Sequence, residues 1–311
     1  MNETETDTLR IFDRPAIRAH RERAARDLPA HDFLMREVAD RLADRLDDMR
    51  RSFPLALELG CRGPALARAA AGRAGIEGWT GAAPTMAAAR EAAPLAALAE
   101  EEAIPFVEGV FDLVISSFAL HWVNDLPGAL LQARRCLKPD GLFLAALPGG
   151  DSLIELRAAL LEAEAVISGG ASPRVSPFVD LRDAAALLQR AGFALPVADV
   201  DTITVSYSDP LALMRDLRGM GETNAMAARP RSFLRRDLLL EAARIYQARH
   251  GEPDGRIPAT FQIVFLTGWA PDASQPRALR PGSAQARLAE ALGSTEIESG
   301  IKAGPGRRGA T

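Results

Sequence analysis

The spacing of apolar and polar residues changes character twice along this chain. Over residues 17–49 the apolar positions Phe33, Leu34, Val38, Leu42 and Leu46 recur at helical spacing, with Arg36, Asp40, Asp44 and Asp48 near the opposite face. This predicts an amphipathic helix packed on the main body. Its polar side mixes both charge signs, which argues against a membrane-surface helix. From residue 54 short unbroken apolar runs take over. Strands are predicted over 54–59, 76–81, 111–117 and 142–147, and helices over 64–73, 85–92 and 126–137, the last closed by a Lys-Pro-Asp-Gly turn. Strands that alternate with crossover helices indicate a parallel sheet covered on both faces.

After Gly149-Gly150 the rhythm shifts again. Helices are predicted over 152–167 (with Asp151 as N-cap), 181–191, 210–220 and 233–250, and strands over 200–207 and 260–269. The expected architecture is α/β: a doubly wound, mostly parallel seven-stranded sheet with a helical cap. An N-terminal helical segment occupies 1–50 and a nucleotide-binding core 51–150. The cap and the last two strands come next over 151–270, and a mostly disordered Gly-, Pro-, Ser-, Ala- and Arg-rich tail over 271–311, with one weak helix near 284–292.

Ligands on such sheets bind beyond the carboxyl ends of the strands, at the switch point. That directs attention to LALELGCRGP at residues 55–64. A strand ending in Glu58-Leu59-Gly60 turns sharply only through a residue that tolerates positive φ. Glycines there let backbone N–H groups approach a ligand, while the next helix presents its positive end. The same loop is also an ordinary turn in many α/β proteins, so its meaning depends on the rest of the sheet.

Composition narrows the choice. The chain has 311 residues, 48% hydrophobic and 25% charged, as suits one large domain or a domain plus a lobe. A net charge of −4 gives no reason to expect nucleic acid as partner, since phosphate binding needs a clustered basic face. No apolar run is long enough to span a bilayer. The acidic, polar start reads as neither a secretory signal nor a transit peptide, so a cytoplasmic location is expected. Cys61 and Cys136 lie far apart, which implies a reducing compartment and neither a disulfide framework nor a CxxC site. His20, His31, His121 and His250 share no ligand spacing, so no His-built metal site is expected.

The run FDLVISSFALHWVNDLPGALLQARRCLKPDGLFLAALPGG has the element order of S-adenosylmethionine (SAM)-dependent methyltransferases, and the chain resembles the class I methyltransferase superfamily. Within it, the sequence resembles relatives of the mitochondrial complex I assembly factor known as an arginine hydroxylase, near the biotin-pathway O-methyltransferases. RIFDRPAIRAHRERAA, SSFALHWVNDLPGAL, LPGGDSLIELRAAL, SPFVDLRDAAALLQRAGF, DLRGMGETNA and PATFQIVFLTGW carry that likeness over roughly residues 10 to 285. The resemblance implies SAM as cofactor and a complex I subunit as protein partner. Glu58 then matches the acid near the ligand's amino group. Gly60 and Gly63 match two loop glycines, Glu100 the group near the adenine, and Ser116 the pocket floor.

Two departures stand out. The acid-x-G-x-G-x-G pattern is one residue short and lacks its middle glycine, with Arg62 adding bulk where backbone usually faces ligand. Thr80-Gly81-Ala82-Ala83 also offers no carboxylate for the ribose hydroxyls. Loss of a charged hydrogen bond of about 1.5–3 kcal/mol weakens binding roughly ten- to 150-fold.

Three residues are candidates for chemistry. His121, just past the fourth strand, could serve as a base or, with Trp122, as an aromatic wall, or it caps the loop over a buried Trp122. Asp151 is equally an N-cap. Glu222, in GMGETN, comes after a helix, whose C-cap is the plain alternative. A two-His-one-carboxylate iron set is not evident. Three functions are therefore open: a methyltransferase-fold protein that modifies or helps assemble a complex I subunit, an ordinary SAM-dependent methyltransferase acting on a small molecule or acyl carrier protein, and a non-catalytic assembly scaffold with a degenerate SAM pocket.

Overall fold

A computed structural model describes residues 10–276 and 288–295. Strand β1 (Leu55–Leu59) lies mid-sheet, with β2 (Gly78–Ala83) and β3 (Leu95–Leu98) beyond it on one side. The chain then crosses to the other side for β4 (Phe111–Ser117) and β5 (Leu137–Pro148). The strands β6 (Ala194–Tyr207) and β7 (Ile257–Trp269) complete a seven-stranded sheet among the described residues, in the order β3-β2-β1-β4-β5-β7-β6. β1 to β5 pair in parallel, and β7 runs antiparallel between β5 and β6. The doubly wound, mostly parallel seven-stranded sheet expected from the pattern is present. Its switch point lies between β1 and β4, so the tips at Leu59 and Ser117 frame the cleft where a ligand would sit.

Successive residues of a strand face opposite sides, and both sides here are apolar. Leu113 and Ile115 of β4 point into one core together with Leu34, Val38, Leu42 and Leu46 of α2 (Phe33–Asp47). Val114 of the same strand points into the other core, against Leu130 of α5 (Leu126–Cys136) and Leu188 of α7 (Leu181–Arg190). The predicted apolar stripe of α2 is therefore its buried face. The cap consists of α6 (Ile154–Ser168), α8 (Pro210–Gly219) and α9 (Arg236–His250), while α1 (Arg14–Ala24) crosses the carboxyl end of the sheet near the cleft. Two short helices, α3 (Ala65–Ala69) and α4 (Met86–Ala92), link β1 to β2 and β2 to β3. Residues Ser274–Thr311 form a separate unit, whose described part contains one short helix, Leu288–Leu292. The expected disordered tail and the start of its weak helix at residue 284 fall largely outside the described residues.

Several boundaries differ from the pattern, each for a local reason. β3 was not predicted: its sequence, LAAL, is alanine-rich, and as an edge strand it leaves Leu95 and Leu98 exposed. Asp151 is not the N-cap of α6. Leu153 N–H donates to the Thr260 carbonyl (2.7 Å) and Ser152 Oγ to that of Gln262 (2.7 Å), which pins this segment to β7. Leu153 then turns with φ +55°, and the helix begins only at Ile154. β6 and β7 outrun their predicted spans because they pair with each other almost end to end.

Candidate functional site

The loop after β1 turns as expected, with Gly60 at φ +75° and Gly63 at φ +107°. The N–H groups of Gly60 and Cys61 both donate to the Ala82 carbonyl, at 2.7 and 3.1 Å. What faces Gly60, however, is the chain itself. A Cβ built there would overlap Ala119 Cβ and lie 2.9 Å from Glu101 Oε1. Glu101 is fully buried and receives Arg21 Nη1 at 3.0 Å and the guanidinium of Arg14. Burial alone would raise the Glu101 carboxyl, but Arg21 and Arg14 outweigh it and hold it below its ordinary range.

α1 is fixed over this cleft from both ends of its lead-in. Asp13 N–H donates to the Ala225 carbonyl (2.8 Å), and Phe12 exchanges hydrogen bonds with the Asn124 side chain (2.8 and 3.2 Å). The Phe12 ring meets Trp122 edge to face, with centroids 5.2 Å apart.

The residues at this mouth do not fit an adenosyl ligand as they stand. Glu58 is buried and accepts from Trp79 Nε1 (3.0 Å); burial pushes its carboxyl up to about 8 against the opposing pull of that hydrogen bond. Glu100 turns onto Arg14 and Arg18 of α1. Ser116 Oγ donates to the Leu59 carbonyl (2.8 Å). The gaps beside Gly63 amount to about 30 and 20 Å³, room for a water or so, whereas ligand pockets run from roughly 300 Å³ upward. Arg62, in the place of backbone that usually faces ligand, reaches past the loop to the carbonyls of Phe118 (3.5 Å) and Met220.

Next to this closed cleft, beneath the cap, lies a cavity of about 830 Å³. Most of its wall is aliphatic or aromatic, including Leu153, Leu156, Met214 and Phe178. Glu222 is its one carboxylate among the described lining residues. Its Oε1 is ion-paired to Arg62 Nη1, and its Oε2 accepts from Trp122 Nε1 (2.7 Å) and lies 2.9 Å from His121 Nε2. Burial would raise the Glu222 carboxyl, but Arg62 and then His121 hold it far below the usual range, so it is ionised. Burial lowers His121 and Glu222 only partly restores it, which keeps the imidazole neutral near pH 7. A neutral imidazole facing a carboxylate places its proton on Nε2. Nδ1 is then a bare acceptor, and it is buried without a hydrogen-bond partner among the described residues. The arrangement thus holds a guanidinium on an anionic carboxylate and keeps one unprotonated nitrogen beside it.

A family model described as a methyltransferase domain matches residues 57–145. The arginine-hydroxylase NDUFAF5, mitochondrial, of Homo sapiens is 44% identical over 293 residues, covering 92% of this chain and 85% of that protein. The chain belongs to the NDUFAF5 arginine-hydroxylase family. The Danio rerio member is 40% identical over 288 residues, covering 91% of this chain and 89% of its own length. The malonyl-[acyl-carrier protein] O-methyltransferase of Laribacter hongkongensis is 35% identical over 286 residues, covering 87% of this chain and 94% of that enzyme. A Bacillus halodurans crystal structure described as a candidate methyltransferase superposes with TM-score 0.51 at 15% identity, over 74% of this chain and 97% of that one, and speaks to the fold alone.

In this NDUFAF5-family chain two of the three candidate chemical residues, His121 and Glu222, come together. The third does not: Asp151 is exposed, accepts from Gln262 Nε2 (2.9 Å) and is not among the cavity's lining residues. Arg62 stood out in the sequence as bulk in a glycine loop and Glu222 as a candidate of its own, but their pairing did not. Arg14 and Arg21 were missed, although their spacing in RIFDRPAIRAHRERAA puts both on one helix face. Among the described residues no group of three or more His, Cys, Asp or Glu is arranged to hold a metal ion, and no helix is long and apolar enough to cross a membrane.

Proposed function

We propose that this chain is a cytoplasmic assembly protein that holds an arginine-bearing segment of a respiratory complex I subunit in the cavity under its cap. The reading rests on Glu222, a buried ionised carboxylate at the floor of an otherwise mainly apolar cavity, already engaged with a guanidinium. One oxygen of that carboxylate already carries the Arg62 guanidinium, and guanidinium is the more weakly hydrated cation that a partly apolar site accepts more readily than an ammonium. The relatives' name, arginine-hydroxylase, supports the same substrate group, and the resemblance to a complex I assembly factor supplies the partner. Two buried free cysteines agree with a reducing compartment.

The filled cleft at Gly60 favours action without bound SAM, and hence the scaffold reading over an ordinary methyltransferase on a small molecule or acyl carrier protein. What these residues would do for a bound arginine is orient it: the incoming guanidinium would take the place of Arg62 on Glu222 Oε1, while Trp122 and His121 keep hold of Oε2 and His121 Nδ1 stands by as a proton acceptor.

Two measurements test the reading. A tagged chain expressed in cells should retain a complex I subunit, and mutating the captured arginine of that subunit to lysine should release it. Calorimetry with SAM should give no binding heat at millimolar ligand. Recovery of acyl carrier protein alone, together with micromolar SAM binding, would overturn the proposal in favour of a methyltransferase.

A further inference from the structure

The octet Arg229-Pro-Arg-Ser-Phe-Leu-Arg-Arg236 contains four arginines and no acid, in a chain whose net charge is −4. At its centre Phe233 is fully exposed and Leu234 is 40% exposed. Among the described residues nothing covers the Phe233 ring, and with Leu234 it forms an apolar tip inside a run of cations. The same two residues line the mouth of the apolar cavity under the cap, where Arg215 and Arg218 of α8 also stand exposed.

The charges around this mouth are unbalanced toward the positive. Asp13 accepts from Arg229 (2.9 Å) and Arg231 (3.4 Å), Asp237 pairs with Arg235, Asp216 is bound to His31, and Asp209 feels Arg215. Arg218 and Arg236 have no carboxylate within ion-pair distance among the described residues, and the arginines on this face outnumber the acids beside them.

We propose that segment 229–236 docks this face of the protein on an anionic lipid surface. Phe233 and Leu234 enter the boundary between headgroups and acyl chains, and the excess guanidiniums beside them, Arg218 and Arg236 first, pair with lipid phosphates. An apolar tip ringed by guanidiniums suits that boundary: the tip loses its contact with water, while the long Arg side chains keep their charge at headgroup level. An acidic protein groove would satisfy the cations but would leave a fully exposed aromatic with a polar neighbour. The lipid surface satisfies both at once. It also brings the cavity mouth to the membrane.

The test uses the full chain in co-sedimentation with vesicles of phosphatidylcholine, with and without phosphatidylglycerol, at low and high salt. Binding is expected only to the anionic vesicles, and it weakens as salt screens the arginines. Phe233→Ser, which removes a fully exposed side chain, should leave the melting temperature unchanged and weaken vesicle binding by about tenfold or more. Arg235→Gln and Arg236→Gln should each weaken it by about fivefold. Phe233→Trp should add an emission component that shifts to the blue on anionic vesicles and is quenched by brominated lipid. The proposal is overturned if the chain stays in the supernatant with both vesicle types, or if Phe233→Ser binds as tightly as the parent. Loss of a captured protein partner by Phe233→Ser with vesicle binding intact would make this face a protein interface instead.

Discussion

Arg62 and Glu222 stand 160 positions apart in the chain and form one buried ion pair that joins the glycine loop to the segment after α8. Removing one partner of such a pair strands the other's charge in the interior. Glu222→Gln or Arg62→Met should therefore each cost about 3–5 kcal/mol in urea unfolding, and the double variant should recover part of that loss. Additive losses in the double variant would mean that the two groups do not depend on each other.

Gly60 and Gly72 share a φ of +75° but not their surroundings. At Gly72 nothing lies within 4 Å of an added Cβ, so alanine there should cost only the left-handed backbone, about 1–2 kcal/mol. At Gly60 the same methyl meets Ala119 and Glu101, and the loss should exceed that at Gly72 by a further ~1–3 kcal/mol. Equal losses would place open space where the close contact now stands.

Glu58 gives stability a pH dependence of unusual sign for an acid. Its carboxyl is raised in the fold to about 8 from an ordinary 4.5, because it is buried. The stabilisation it provides is complete below the unfolded value and is lost as pH climbs toward the folded one, at up to about 1.4 kcal/mol per pH unit. Glu58→Gln keeps an acceptor for Trp79 and should flatten that part of the profile. Denaturant midpoints measured across neutral pH in both proteins would reveal the difference, and parallel profiles would remove Glu58 as its source.

Both thiols should be silent in the native protein. Burial raises Cys61 above the range of a reactive thiol and Cys136 to about 11, and both side chains are enclosed. An aromatic disulfide reagent should label neither before unfolding and both in urea. Prompt labelling of one thiol without urea would mark local opening at that position.

The strands that the pattern marked clearly, such as FDLVISS at β4, owe their legibility to burial on both faces, which leaves a run of apolar residues no helix needs. LAAL at β3 had no such signature, since alanine favours no strand and the edge exposes both leucines. The site was legible only in pieces. Glu222 and His121 were each visible inside a family-like motif, yet their 2.9 Å contact spans 101 positions and depends on how α8 and the 3₁₀ turn Leu120–Trp122 pack. Asp151 carried the local signature of a helix cap and was overruled by backbone bonds to β7, which no local pattern encodes.

The salt bridges of α1 change what the amino-terminal helix is. Arg14 and Arg21 are the counter-ions of a carboxylate with no exposed surface, so a chain trimmed to begin after Ala24 would keep Glu101 in the interior with neither of them. That acid, which lies against Gly60, would have to take up a proton or draw in water. The helix is thus a keystone of the domain rather than a leader attached to it.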